Sequence, residues 1–366
     1  MSLTPYLTAW RTTPLHDREV VDALVDPAHA APSPELAAAL RDWPGSYYWS
    51  DEPDGRHLVL TRPAASRARD AWAMHGLLFA AALFTTTLSG AVITGALPAD
   101  LGVLFDPGTW GTGFPRTWAT GLRFSLPLLA ILLCHELGHY LTARRYQLDV
   151  SPPYFLPGPP APLGIGTFGA FIRLRTILTD RRQLLDVGAA GPIAGFVVAV
   201  PILWIGLAHS QAFTEGDVPG MLVPWGGSLL PLGDSAVTLL VRRLAVPDGT
   251  AVILHPMAFA GWLGMFVTML NLLPMAQLDG GHILYAAAPR LHRRVALAFW
   301  VGIMLLGWFW VGWLIWGFLV LVMSRGQLGH PPVLDAYRPL PRSRHWLAWV
   351  SLLLFLLTFA PAPFRS

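Results

Sequence analysis

The residues best suited to do chemistry are two histidines and a glutamate in the segment Cys134-His135-Glu136-Leu137-Gly138-His139. Histidines four residues apart lie on one face of a helix, and the glutamate that follows the first lies beside them. This spacing is typical of hydrolases in which two imidazoles bind zinc and a carboxylate acts on the neighbouring water. The segment therefore predicts a metal site with His135 and His139 as ligands and Glu136 as the general base.

The same motif also arises by chance, with two helix histidines bonded to nearby backbone and the glutamate paired with an arginine. In this chain the motif lies in an apolar stretch, 119–143, that is long enough to cross a membrane. Ionisable side chains are costly inside a membrane and usually mark a functional site there. The position of the motif inside an apolar span therefore favours a metal site over the alternative, in which the three polar side chains have only a structural role.

A third ligand is needed, because a catalytic zinc site has three protein ligands and an open fourth position. The best candidate is Asp279, in the segment Asn271-Leu-Leu-Pro-Met-Ala-Gln-Leu-Asp-Gly-Gly-His282. If the apolar spans alternate in direction, 119–143 and 252–274 both end on the cytoplasmic side and bring these polar residues to one level. The alternative is that Asp279 only caps a turn made with the two glycines. His282 could support the site, but the sequence favours a solvent-exposed turn residue.

The composition indicates what kind of protein holds these residues. Only 13% of the 366 residues are charged, against about 25% in ordinary soluble domains, while 54% are hydrophobic and the mean hydropathy is +0.49. These values exclude disordered, collagen-like and disulfide-stabilised proteins. All 25 basic residues are arginine, and the net charge of +3 fits arginines at the ends of spans. We therefore expect contact with a lipid bilayer and no nucleic-acid partner.

Apolar stretches predict six to seven transmembrane helices. Arginines lie before the first predicted span, between the second and the third, and after the fourth. If these spans alternate in direction, all of these arginines lie on one side of the membrane. The positive-inside rule places that side, and with it the N-terminus, in the cytoplasm. The stretch 295–323 is long for one span, and the arginines that follow it favour a hairpin of two. The predicted spans are 71–96, 119–143, 184–208, 252–274, 295–323 and 345–361.

Three segments lie outside these spans. Residues 1–70 predict a small soluble cytoplasmic appendage of α+β type, with a helix near Pro34–Arg41 followed by a short sheet. Residues 164–175 alternate apolar side chains with glycines, which predicts a strand or hairpin on the cytoplasmic side. The outer loop 209–251 predicts one amphipathic helix, Asp234–Leu244, with an aspartate cap. The predicted fold is an α-helical polytopic membrane protein with a membrane-associated β-hairpin and this appendage.

Small residues are spaced three and four apart at the start of the third span, at Gly188, Gly191 and Gly195. Small residues at this spacing let two helices approach closely. We expect them to pack the span 184–208 against the helix of the two histidines, without a catalytic role.

The HELGH segment together with NLLPMAQLDGG resembles the site-2 protease family of intramembrane zinc metalloproteases. The resemblance implies a transmembrane metalloprotease domain over 71–361, with catalytic spans 119–143 and 252–282. It implies one zinc ion per chain, bound by His135, His139 and Asp279, with Glu136 as general base. It also implies that Asn271 steadies the substrate or the developing oxyanion.

The same resemblance implies a membrane-dipping β-loop at 164–175 that pairs with an unwound substrate helix. Its substrate-binding residues would be Gly166, Thr167, Phe168, Gly169, Ala170 and Phe171. The alternative is a surface hairpin that binds no substrate. The motif's proline, Pro274, would break the helix so that the aspartate can turn towards the metal. The loop 209–251 is too short for the PDZ domain that many family members carry, which implies a PDZ-less, bacterial branch.

The implied function is a zinc-dependent intramembrane endopeptidase that cleaves transmembrane segments of membrane-anchored substrates near the cytoplasmic side, in regulated intramembrane proteolysis. The implied location is the cell inner (plasma) membrane, as a multi-pass protein whose partner is a membrane-spanning protein substrate. The alternative function is a non-catalytic zinc-binding membrane protein or transporter that uses the same ligands. The sequence indicates neither the natural substrate nor the oligomeric state.

Overall fold

The computed structural model describes most of the chain. The described residues are 3–14, 18–31, 33–63, 70–98, 100, 102, 114–176, 178, 180–213, 220–247, 250–331, 333 and 339–365. Parts of two predicted segments, 64–69 of the appendage and 214–219 with 248–249 of the outer loop, lie outside them.

The N-terminal domain packs one helix on a four-stranded antiparallel sheet in the order β1-β2-β4-β3. Its helix begins after Ser33, whose side chain accepts a hydrogen bond from the Leu36 N–H and so caps the first turn. Alternate residues of the central strands, such as Ala23 and Leu58, are fully buried with Leu36 in a core of their own. The elements are β1 (Leu7–Pro14), β2 (Arg18–Val25), α1 (Pro34–Arg41), β3 (Tyr47–Glu52) and β4 (Gly55–Pro63).

The predicted helix Pro34–Arg41 is therefore confirmed, and a short sheet does follow it. The sheet also has two strands before the helix that the sequence analysis missed. β1 and β2 form the other half of the sheet because β2 pairs with β4 along its length, from Arg18 opposite Pro63 to Leu24 opposite His57.

Three of the described helices are long and apolar enough to cross a membrane, which fits a membrane protein. They are α2 (Trp72–Ile93), α3 (Phe114–Arg145) and α4 (Arg181–Ala208). Helix α4 is central, because it packs against α3 and against two later helices. Those later helices are α6 (Pro256–Asn271) and α7 (Asp279–Ala287).

The long apolar stretch 295–323 is not one helix. It is divided between α8 (Pro289–Leu306) and α9 (Gly312–Met323), with a turn between them. The two helices pack side by side, and the Trp300 indole N–H donates a hydrogen bond to the Gly317 carbonyl at 3.0 Å. The stretch therefore folds as two packed helices, and the hairpin of two membrane spans stays a prediction. The last helix is α10 (His345–Thr358).

Two strands form a hairpin in the segment between α3 and α4. They are β5 (Tyr154–Pro157) and β6 (Thr167–Phe171), paired antiparallel. β6 lies within the predicted segment 164–175, but its partner strand starts ten residues before that segment. The connection is fixed to α2, since the Thr85 hydroxyl donates to the Gly166 carbonyl at 2.6 Å.

The segment after α4 holds more structure than predicted. Its described strands form a sheet in the order β7-β10-β8-β9, and α5 (Ala236–Ala245) lies between β9 and β10. The predicted aspartate cap is wrong by one residue: Ser235 caps α5 through a reciprocal bond with Thr238, and Asp234 pairs instead with Arg242 at 3.2 Å. The strands are β7 (Gln211–Phe213), β8 (Met221–Trp225), β9 (Ser228–Leu232) and β10 (Ala251–Ile253).

Candidate metal centre

Three side chains from two helices converge on one point. His135 and His139 belong to α3, and Asp279 is the first residue of α7. The two Nε2 atoms are 3.2 Å apart, and the Asp279 Oδ2 atom lies 3.2 Å from one and 3.3 Å from the other. Ligand atoms about 2.0 Å from a tetrahedral zinc ion are about 3.3 Å from one another. The three atoms therefore have the spacing of one face of a zinc tetrahedron, and no fourth His, Cys, Asp or Glu of the described residues joins the group.

Helix α4 holds the histidines in the orientation that a metal requires. The His139 ring donates its Nδ1–H to the Val187 carbonyl at 2.7 Å, so its Nε2 lone pair is free for the metal. A Cβ atom on Gly191 would lie 2.0 Å from His139 Nε2, and one on Gly195 would lie 3.1 Å from His135 Nδ1. The glycines of α4 therefore leave room for the two imidazoles, and their predicted packing role is confirmed.

The loop between α6 and α7 brings Asp279 to the histidines. Helix α6 ends at Asn271, three residues before Pro274, as expected from a proline that cannot continue a helix. A Cβ on Gly280 would lie 2.0 Å from the Leu272 carbonyl oxygen, and one on Gly281 would lie 2.4 Å from that of Ala276. The two glycines thus let the first turn of α7 pack directly on the loop.

Glu136 and Asn271 lie at the same site. Glu136 is 7% exposed, lines a cavity of about 270 Å³ together with the three candidate ligands, and faces the backbone of Ile172 just after β6. The side-chain nitrogen of Asn271, at the end of α6, is 3.2 Å from His135 Nε2. The structure therefore brings together all five residues that were predicted for the metal and the chemistry.

The six predicted hairpin residues divide into two groups. Ala170 and Phe171 line the cavity. The other four do not reach it: the Thr167 hydroxyl bonds within the hairpin, to the Leu156 carbonyl at 2.7 Å, and Phe168 is 75% exposed. Gly166 has a positive φ of 86°, and its Cβ would lie 2.4 Å from the Thr85 carbonyl oxygen, so its small size serves packing on α2.

His282 is a site residue that the sequence analysis gave only as the less favoured alternative. It lies in the first turn of α7, lines the cavity beside Glu136 and Asp279, and its Nδ1 is 2.7 Å from Nε2 of His330. The prediction of a solvent-exposed turn residue is wrong. Because α7 begins at Asp279, residues three apart share a face of the helix, and this spacing was a signal for a place in the site.

The comparison with known families bears on the segment that holds the site. The sequence profile of peptidase family M50 matches residues 123–307, half of the chain. The chain belongs to peptidase family M50. This is the site-2 protease family that the sequence resembles, and the matched segment contains every candidate ligand.

The curated proteins to which this M50 member is similar include two that are named as probable zinc metalloproteases. It is 34% identical to the probable zinc metalloprotease EGY1, chloroplastic, of Arabidopsis thaliana over 250 residues, which cover 66% of this chain and 43% of the relative. It is 31% identical to EGY2, chloroplastic, of the same plant over 226 residues, 59% of this chain and 35% of the relative. The chain thus spans less than half the length of these relatives. No solved structure matches it significantly.

Proposed function

We propose that this M50 member is a zinc-dependent intramembrane endopeptidase that cleaves transmembrane segments of membrane-anchored proteins near the cytoplasmic side. The observation that carries the proposal is the triangle of His135, His139 and Asp279 atoms, with tetrahedral spacing, no fourth His, Cys, Asp or Glu ligand among the described residues, and Glu136 in the same cavity. A purely structural zinc site would use all four corners for protein ligands.

The chemistry follows from the donor set and its surroundings. Zinc, when bound by the triangle, supplies a Lewis acid that polarises the scissile carbonyl and makes water easier to deprotonate. Glu136 takes the proton of the attacking water and delivers it to the leaving amine, as a general base and then acid. The amide of Asn271, which lies beside His135, can donate a hydrogen bond to the carbonyl oxygen as charge develops there.

The setting supports a membrane-spanning protein as the substrate. Glu136 and the histidines lie within α3, one of the helices long and apolar enough to span the bilayer. Ala170 and Phe171 of β6 line the cavity, so an unwound substrate segment can reach the metal while it pairs along this strand. The substrate role of Thr167, Phe168 and Gly169 would then come from the strand as a whole, since these residues lie outside the cavity, and Gly166 would hold the start of the strand against α2.

The proposed topology is a multi-pass protein of the cell inner membrane with six to seven spans, residues 1–70 in the cytoplasm and the protease domain over 71–361. Large apolar side chains on the α8–α9 pair are exposed, among them Trp308 at 88% and Phe318 at 65%. Such a surface fits contact with lipid. The arginines that flank the first four predicted spans support a cytoplasmic location of residues 1–70 by the positive-inside rule.

The proposal is tested with purified full-length protein, a single-span reporter substrate and the E136Q variant. The zinc-loaded wild type is expected to cleave the reporter, chelation is expected to stop cleavage and added zinc to restore it. E136Q should bind one zinc per chain and cleave at least about 100-fold more slowly, the usual share of a general base. Normal cleavage by E136Q, or zinc flux into proteoliposomes without cleavage, would overturn the assignment; the second result would favour a transporter.

A further inference from the structure

Three histidines lie next to each other on the side of the cavity formed by α7. They are His282 in α7, His292 in α8 and His330 in the segment between α9 and α10. His282 Nδ1 is 2.7 Å from His330 Nε2, and the backbone N–H of His330 donates to His292 Nδ1 at 3.3 Å. The ring of Tyr285 stacks on that of His330, with centroids 4.6 Å apart. The proposed chemistry uses none of these residues.

The hydrogen bonds fix which nitrogen of each ring carries a proton. The His330 Nδ1 atom is 2.5 Å from the Pro331 carbonyl oxygen, which can only accept, so this nitrogen is the donor. In a neutral ring the other nitrogen, His330 Nε2, is then an acceptor, and His282 Nδ1 must donate to it. His282 Nε2 is therefore left as a hydrogen-bond acceptor.

The residue that carries this acceptor lines the cavity. His282 lines the cavity that contains Glu136 and Asp279, and no hydrogen-bond partner for its Nε2 is found among the described residues. The 2.7 Å separation of His282 Nδ1 and His330 Nε2 fits an N–H···N bond and is shorter than the roughly 3.3 Å between two ligands of one tetrahedral ion. The pair is therefore a support for the His282 ring and not a second metal site.

We propose that His282 Nε2 accepts a hydrogen bond from a main-chain N–H of the substrate next to the scissile bond, and that His330 is the residue that positions this ring. The proposal rests on the proposed protease function. An extended peptide presents N–H and C=O groups in alternation, and each needs a partner once it is buried. Asn271 offers a donor for a carbonyl, and His282 offers the matching acceptor for an N–H.

Substitutions at position 282 separate this role from simple packing. Glutamine can place its side-chain oxygen near the position of Nε2, whereas asparagine reaches only as far as Nδ1. H282Q should therefore keep the contact with the substrate, and H282N should lose it. H330F keeps an aromatic ring against Tyr285 but removes the acceptor that holds His282. The matched control is H209A, because the His209 ring bonds to the Ile205 carbonyl and packs on His255 at the C-terminal end of α4, whereas the cavity is lined by residues near the N-terminal end of that helix.

The experiment measures binding of a labelled single-span substrate in the E136Q background, and KM and kcat of the same variants in the active protein. H282N should weaken binding and raise KM about tenfold, as expected for one lost hydrogen bond in a buried site. H282Q should stay within about threefold of the parent and H330F should lie between them. H209A should be unchanged, and every variant should hold one zinc per chain.

Two results would overturn this inference while the protease function stands: H282N that binds and cleaves like the wild type, or H282N that loses its zinc. An H282Q variant as weak as H282N would likewise contradict the acceptor role. If the wild type itself neither binds nor cleaves the substrate, the proposed function fails and this inference fails with it.

Discussion

Two regions of the molecule bring histidine and carboxylate side chains close enough together to hold a metal ion, and they differ in what the ring nitrogens already contact. In the metal centre, two buried histidines and Asp279 present three ligand atoms to one point. In the N-terminal domain, the His57 group consists of Asp22, Glu52, Asp54 and His57. There Asp22 lies 2.8 Å from His57 Nδ1 and Asp54 lies 3.1 Å from Nε2.

The difference lies in what supports each ring. In the metal centre, His139 is held by a backbone carbonyl through Nδ1, so its other nitrogen remains free for a metal. In the His57 group, both ring nitrogens already face carboxylates, and the hydrogen bond to Asp22 raises the pKa of His57 above its usual value. The side chains of Asp22 and Asp54 are 42% and 65% exposed, so water competes for them. The same residue types thus make an ion pair in one place and a ligand set in the other.

The largest expected effect comes from removing a carboxylate in each region. D279A deletes one of three ligands, so zinc affinity should fall by more than the roughly 10–100-fold that a lost supporting residue costs, and cleavage should be lost. D22A should leave one zinc per chain and full cleavage. Zinc content after dialysis against a weak chelator measures the first effect, and the reporter assay measures the second.

The contrast between the two regions is wrong if D22A releases zinc or if D279A retains it at wild-type affinity. Equal losses in both variants would mean that the ion bridges groups outside the triangle or that both variants unfold. Elution of each variant as a single folded species in size-exclusion chromatography separates these two causes.

A second effect, of medium size, tests the support given by α4. A Cβ on Gly191 would lie 2.0 Å from His139 Nε2, so G191A should push the ring away from the metal position and weaken zinc binding about 10–100-fold. The matched control is G76A in α2, where a Cβ meets nothing within 4 Å. G76A should bind zinc like the wild type. Unchanged zinc binding by G191A would show that the helix does not hold the ring in this way.

The sequence predicts which side chains come together at the candidate metal centre because most of its signals are local. The spacing of His135 and His139 depends only on the helix repeat, and Pro274 with the two glycines after Asp279 predicts where one helix stops and the next begins. The place of Asp279 beside the histidines needed one further idea, that alternating spans bring two distant segments to one membrane level.

The sequence does not predict contacts between distant segments that lack such a pattern. His330 lies 48 residues from His282, and nothing around it marks a partner for a ring in α7. The strand Tyr154–Pro157 is short and proline-flanked, so its pairing with β6 appears only in three dimensions. The cap of α5 shows a smaller error of the same kind: Asp234 and Ser235 are both good caps, and the reciprocal bond with Thr238 decides between them.

The smallest expected effect is on the stability of the N-terminal domain. Because the folded-state pKa of His57 is raised, its bond to Asp22 stabilises the domain fully below the unfolded pKa of about 6.5 and is lost as the pH rises through the folded pKa. The partner carboxylates are exposed, so the contribution should stay below about 1 kcal/mol. Hydrogen exchange of the β2 and β4 amides in the full-length protein measures it.

The wild type should exchange more slowly than D22N at pH 6, and the two should converge by pH 9. Zinc content should be the same in both at each pH, because the His57 group takes no part in the metal centre. A difference between wild type and D22N that grows with pH would reverse the sign of this account.

The central claim is that one zinc ion is held by two imidazoles and one carboxylate and keeps an open corner beside Glu136. X-ray absorption at the zinc edge of the loaded full-length protein tests it most directly. The account predicts a shell of nitrogen and oxygen atoms at about 2.0–2.1 Å with the outer-shell signal of two imidazoles, unchanged in D22A and reduced to one imidazole in H139A. A sulfur shell near 2.3 Å, or two imidazoles still present in H139A, would contradict it.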